Sequence, residues 1–297
     1  MKETNKGKNL VARITGSLAM AVVLLVAARA NAAHELMYAI EISTDNLISF
    51  YSDAPGTVLN SRAITGLQAA ESVRGIDIGS DGKLYALGSS SRLYTIDPNT
   101  GAATQVGSGQ FSTLLNGSTF GMDVGPTGVR VTSDLGQALL INTSTGAATV
   151  QASPVYAAGD PHVGQTPRID ALAFNPGTGA WVAGDSLANI FATFTPGTGA
   201  LNTIGPSGID FARNNGLDFS TLSSILYLAS PAASSDPAAN LYTVNPTTGA
   251  VTLVGLIGNP GDNILINGLT VAEIPEPGSL GLLALGGVVL VVCRRKK

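Results

Sequence analysis

Few residues in this chain can carry chemistry. Its two histidines, His34 and His162, are far apart in sequence, so no histidine pair offers a metal site or an acid/base dyad. The single cysteine, Cys293, sits among the last residues, and neither a G-x-S-x-G elbow nor a phosphate-cradling glycine loop occurs. Carboxylates are left. Asp77, Asp123 and Asp218 each stand third in a recurring glycine–apolar–aspartate phrase. Catalysis needs different residues in different roles, whereas these repeat one role, so buried hydrogen bonding between adjacent strands or turns is expected of them. Asp45 and Asp81 lie in tight turns but lack the ligand run of a calcium loop.

Variation is greatest just before the leading small residue of that phrase, where Arg74, Phe120, Asp170, Asn215 and Asn267 stand. Mixed charge and amides suit a small polar or carbohydrate ligand. Arg74 and Arg168 could pair with an anionic sugar, Asn215 and Asn267 could serve its hydroxyls, and Asp170 could orient an arginine. The longest irregular segment, QASPVYAAGDPHVGQTPR from Gln151, adds Asp160, His162 and Arg168. The expected ligand-binding set is therefore Arg74, Asp170, Asn215, Asn267, Asp160, His162 and Arg168. No catalytic set, cofactor or metal site is expected.

The elements that position these residues are repeated hairpins. LYTIDPNTGAATQVG from Leu93 returns as LLINTSTGAATVQAS from Leu139, IFATFTPGTGALNTIG from Ile190 and LYTVNPTTGAVTLVG from Leu241. Each reads as an alternating strand, a polar turn and a second strand. An Asp, Asn or Thr opens the turn, and Gly101, Gly146, Gly199 or Gly249 takes up positive φ before the return strand.

A second strand–turn–strand phrase precedes each hairpin, so the repeating unit has about four strands. Its leading residues, Gly75, Gly121, Ala171 and Gly216, are spaced by 46, 50 and 45 residues, the period of β-propeller blades. NGLTVAEI from Asn267 repeats the start of the phrase and then stops, while the segment from Met37 looks like a blade without its first strand. The predicted fold is all-β: a propeller of five four-stranded blades, closed when the C-terminal strand completes the first blade. Trp181 is the only tryptophan, against the indole-rich blades of quinone-dependent propeller enzymes.

The ends read differently. Lys2, Lys6, Lys8 and Arg13 precede an apolar run and an Ala30-Asn31-Ala32 site, the pattern of a cleaved signal peptide over residues 1–32. At the other end, Pro275-Glu276-Pro277 leads into an apolar run from Gly278 to Cys293 and then Arg294, Arg295, Lys296 and Lys297, whose charge holds that end on the cytoplasmic side. The order of parts resembles the PEP-CTERM sorting signal of Gram-negative bacteria. That resemblance implies a transmembrane helix in residues 275–297, cutting near the triplet by an exosortase-type enzyme, and delivery to the cell surface or an exopolysaccharide matrix. The interior, residues 33–274, resembles an uncharacterised domain family of bacterial exported proteins, recognised by GIDIGSDGKLYALGSSSRLYTIDPNTGAATQVG, which brings no activity with it.

Stripped of its basic ends, the interior is strongly acidic and carries no cysteine, which excludes disulfides and disfavours nucleic acid as a partner. The functional expectation is an exported surface or matrix protein, transiently anchored in the inner membrane, that binds or scaffolds extracellular polysaccharide without catalysis. The alternative is a propeller hydrolase or lyase acting on polysaccharide at the channel mouth.

Overall fold

The computed structural model describes residues 34–272; the segments read as signal peptide and as sorting signal, with its apolar run, lie outside the described residues. Among the described residues every regular element is a strand, and no helix is long and apolar enough to cross a membrane.

The strands form five sheets in sequence order, each an antiparallel blade. Blade 1 contains β1 (Leu36–Glu41), β2 (Asn46–Tyr51) and β3 (Asn60–Ala63), and blade 2 contains β4 (Val73–Ile78), β5 (Leu84–Gly88), β6 (Arg92–Ile96) and β7 (Ala103–Val106). Blade 3 is β8 (Phe120–Gly125), β9 (Gly128–Ser133), β10 (Ala138–Ile141) and β11 (Ala148–Val150). A short β12 (Val155–Tyr156) precedes blade 4, which is β13 (Ile169–Asn175), β14 (Ala180–Asp185), β15 (Ile190–Thr195) and β16 (Ala200–Pro206). Blade 5 is β17 (Gly216–Phe219), β18 (Leu226–Ser230), β19 (Asn240–Val244) and β20 (Val251–Leu256), and β21 (Ile266–Val271) follows.

The closing strand lies where the repeat puts it. β21 pairs antiparallel with β1, Met37 opposite Val271, and the Ala272 N–H donates to the Leu36 carbonyl at 2.7 Å. Both ends of the domain are thereby built into blade 1, which closes the ring. Blade 4 departs from the repeat because β12 adds to its outer edge in parallel, Val155 opposite Ala200, covering the edge of β16.

The hairpin turns form through the predicted side chains. The Asp97 carboxylate accepts the Asn99 N–H at 2.8 Å and the Thr100 hydroxyl at 3.0 Å. Asn142 and Asn245 accept the corresponding N–H groups in their own turns. Gly101 has φ of 77°, but conformation is only half of its role. A Cβ there would lie 2.4 Å from the Ala63 carbonyl oxygen of the preceding blade. Glycine thus lets one blade's turn close on its neighbour's backbone.

The core is divided into wedges between blades. Tyr85, Leu87 and Leu93 of blade 2 pack on Met122, Val129 and Val131 of blade 3, and Ile48 and Phe50 of blade 1 pack on Tyr227 and Leu241 of blade 5. Between blades 4 and 5, Phe191 stacks on Phe211 with ring centroids 5.5 Å apart. Alternating strands bury both faces this way, so each blade's stability depends on its neighbours.

Candidate functional site

The inner strands β4, β8, β13, β17 and β21 meet around the axis, and three successive layers of their residues determine what the channel can hold. The first layer is the small-residue position: Gly75, Gly121, Ala171, Gly216 and Gly268. Here the backbones approach so closely that a Cβ on Gly216 would lie 2.2 Å from the Leu269 nitrogen, and one on Gly121 would lie 2.9 Å from the Ala171 carbonyl carbon. The channel is pinched at this level to a cavity of about 10 Å³.

Two residues further along is the second layer: Asp77, Asp123, Ala173, Asp218 and Thr270. Asp77 accepts the Val124 N–H at 2.7 Å, Asp123 the Phe174 N–H at 3.0 Å, and Asp218 the Val271 N–H at 2.7 Å. Each carboxyl thus binds the backbone of the next blade in the ring. The Thr270 hydroxyl donates to Asp77 at 2.9 Å and accepts the Ile78 N–H at 3.1 Å, tying blade 1 to blade 2. The interstrand hydrogen bonding expected of the three aspartates is present, and it runs between blades.

These bonds bring the three carboxyls together: oxygen atoms of Asp77, Asp123 and Asp218 all lie within 4.8 Å of one another. The three residues are 5 %, 3 % and 6 % exposed. Burial pushes the Asp77 carboxyl up to about 6, against the hydrogen bonds from Val124 and Thr270. Asp123 and Asp218 stand well above the usual carboxylate range, first through burial and then through the negative charge of Asp77. Like charges this close in a desolvated site retain protons, so the layer presents O–H donors as well as acceptors.

The third layer opens outward. Ile78, Val124, Phe174, Phe219 and Val271 surround a cavity of about 300 Å³ that reaches from the carboxyls to Ser80, Pro126, Pro176 and Thr221, in the turns after the inner strands. This is a blind cup: glycine backbones close it below the carboxyls, and solvent reaches it from the mouth where the inner strands end.

The sequence-predicted ligand residues lie elsewhere. Asp170 and Asn215 do come together at the opposite mouth, with Asn215 Nδ2 3.4 Å from Asp170 Oδ1, but they are buried, 1 % and 4 % exposed. Arg74 and Asp170 are each the unpaired residue of a β-bulge, which re-aims their side chains. Arg74 faces Asp45 of blade 1, whose carboxyl burial raises and the arginine lowers. Asn267 pairs with Ile40, and the Arg168 carbonyl accepts the Ser186 N–H.

The loop from Gln151 is held against the outer side of blade 4. Asp160 accepts the Thr203 N–H at 2.6 Å, and His162 Nδ1 is 3.0 Å from the Thr203 hydroxyl, so both residues are tied to β16, the outer strand of blade 4. Burial opposes ionisation of Asp160, but the N–H groups of Thr203 and His162 outweigh it and hold the carboxyl below its ordinary value. The loop is drawn outward because β12 pairs with an exposed sheet edge. Sequence reasoning missed the convergence of Asp77, Asp123 and Asp218, although the signal was there: residues at one repeat position on inner strands share one layer of a closed ring.

Fold and site together define a five-bladed β-propeller with one blind, carboxyl-floored cup on its axis. The chain belongs to the family described as a domain of unknown function, DUF4394, which matches residues 46–269. Residues 273–297 match the PEP-CTERM protein-sorting motif, which implies an exported, surface-destined protein sorted by an exosortase. No curated protein matches the chain.

Among solved structures, the chain is similar to one in a nidogen/laminin complex (14 % identity, TM-score 0.49, covering 81 % of this chain and 98 % of that one). It is also similar to a glutaminyl cyclase of Myxococcus xanthus (12 % identity, TM-score 0.48, covering 71 % and 83 %). A third is a protein of unknown function from Bacteroides caccae (10 % identity, TM-score 0.44, covering 82 % and 100 %). At these levels of identity and overlap none brings a function to this chain.

Proposed function

We propose that this exported protein is a non-catalytic binding domain of the cell surface or extracellular matrix, and that its cup takes one residue of an exopolysaccharide. The one-sidedness of the cup carries this reading, because a channel shut by backbone at one level offers a ligand a single entrance. Its volume is at the small end of ligand pockets. Phe174 and Phe219 offer apolar walls to a sugar ring, while proton-holding carboxyls below and the hydroxyls of Ser80 and Thr221 above suit its polar edge. In this reading the apolar tail anchors the protein in the inner membrane until the exosortase acts. The sorting motif starts at residue 273, two residues after Val271, which lines the cup.

Thr221→Trp tests the proposal by filling the mouth without touching the core. Titrated with matrix polysaccharide fragments, this variant should bind at least about tenfold more weakly than wild type, and Arg74→Ala, at the other mouth, should bind equally well. The reverse pattern would move the site to the strand-start residues and end the cup reading.

A catalytic reading, a hydrolase or lyase acting on the same polymer, has one observation in its favour: raised carboxyls with oxygens within 4.8 Å of one another, close to the spacing in retaining glycosidases. Against it, every one of these carboxyls is already engaged by a neighbouring blade's N–H. New reducing ends or unsaturated products, lost in Asp123→Asn, would decide for catalysis.

A further inference from the structure

Asp170, at the closed mouth, is a buried carboxyl with no basic side chain paired to it among the described residues. Ser186 donates to its Oδ2 at 2.6 Å and Thr119 at 3.3 Å, while its Oδ1 has only the 3.4 Å contact from Asn215 Nδ2. No ion pair among the described residues includes Asp170; the nearby Arg213 is turned to Asp134. The charge of Asp185 adds to burial in opposing ionisation of Asp170. Asn215 supplies a second observation of a different kind. Its Nδ2 donates to the Ala212 carbonyl at 3.0 Å and the Arg213 carbonyl at 3.3 Å, which fixes the amide's orientation, and its buried Oδ1 has no partner. A buried acceptor left alone is costly.

Both residues line the cavity of about 10 Å³ beneath the glycine layer, with Phe120 and Gly268. That is room for one water-sized occupant. The groups left for it are a carboxylate oxygen and an amide oxygen, both acceptors. The chemistry of the pair calls for a positive charge, the single carboxylate for a single one, and the space for an ion of about water's size. We propose that Asp170 and Asn215 hold a monovalent cation of potassium's size where blades 3, 4 and 5 meet. Such an ion would neutralise Asp170 and satisfy Asn215 Oδ1, locking the joint on the side of the ring opposite the cup.

The test is thermal unfolding of the described domain at pH 8, in potassium chloride and in choline chloride at equal ionic strength, with a chelator of divalent ions present. Potassium should raise the melting temperature of the wild type by about 4 °C or more relative to choline. Asp170→Asn removes the charge but keeps the shape and the acceptor for Ser186, and should fold and show no difference between the two salts. Equal melting temperatures for the wild type in both salts would mean that a water fills the space, and would overturn the proposal. A potassium response that persisted in Asp170→Asn would overturn it too, by placing the ion elsewhere.

Discussion

Replacing Asp77 by asparagine should stabilise the protein at pH 8 and leave it nearly unchanged at pH 4. The native carboxyl titrates at about 6, raised from 3.8 chiefly by burial, so between those values the folded chain holds a proton that the unfolded chain has lost. The contribution of Asp77 to stability therefore falls as pH rises from about 4 to 6, and the loss is complete above that. A shift of roughly two units corresponds to about 3 kcal/mol, or about 6–12 °C in melting temperature for a domain of this size. Asparagine keeps an acceptor for the Val124 N–H and has no charge to bury. It also removes the charge that raises Asp123 and Asp218, which adds to the gain. Denaturant unfolding of both proteins at pH 4 and pH 8, with a divalent chelator, measures the difference. A variant no more stable than the wild type at pH 8, or equally weakened at both pH values, would show that the trio works as charged carboxylates and would refute the proton-sharing argument.

Two further outcomes are expected. Gly216→Ala should cost about 3 kcal/mol or more, since its Cβ meets the backbone of the closing strand, whereas Gly109→Ala, with nothing within 4 Å of the added Cβ, should leave chemical denaturation nearly unchanged. Intact mass of protein from the native envelope should place the mature ends near Ala33 and near Pro275–Pro277; a matrix fraction still carrying Cys293 would contradict processing at the triplet.

The repeat made most of this fold legible. Turn residues recur because each blade needs the same hairpin, and the orphan NGLTVAEI could be assigned to blade 1 because a closed ring has one incomplete blade. What local pattern could not convey was depth along the axis. Arg74, Asp170, Asn215 and Asn267 look like a ligand rim in sequence because they vary. The glycine layer just inside them shuts the channel, however, and that closure is a contact between strands about fifty residues apart. The segment around Asp160 and His162 is a similar case: its polar residues suggest ligand contacts, but pairing of β12 with β16 is a non-local sheet contact without a turn signature. The recurring aspartates were read correctly as hydrogen-bonding groups, and only closure of the ring turns three separate bonds into one shared site.

The ring of axial ties is also uneven, and the unevenness accounts for where its two polar sites lie. Blades 1, 2, 3 and 5 each reach the next blade through Thr270, Asp77, Asp123 or Asp218. Blade 4 has Ala173 at that position and no side chain to reach blade 5. The Phe219 N–H that such a group would have bound is served from within blade 5 by Asp218. A fourth carboxyl in that layer would have added another buried acid to a site where Asp123 and Asp218 already retain protons beside Asp77, and alanine avoids that cost. The tie from blade 4 to blade 5 appears instead beyond the glycine layer, toward the closed mouth, where Asp170 meets Asn215 and also takes the Thr119 hydroxyl from the segment leading into blade 3. Moving one carboxyl out of the shared layer thus leaves the cup with Asp123 and Asp218 protonated beside the Asp77 charge, and it leaves Asp170 on the other side of the glycine constriction, where a single positive charge is the simplest partner it can have.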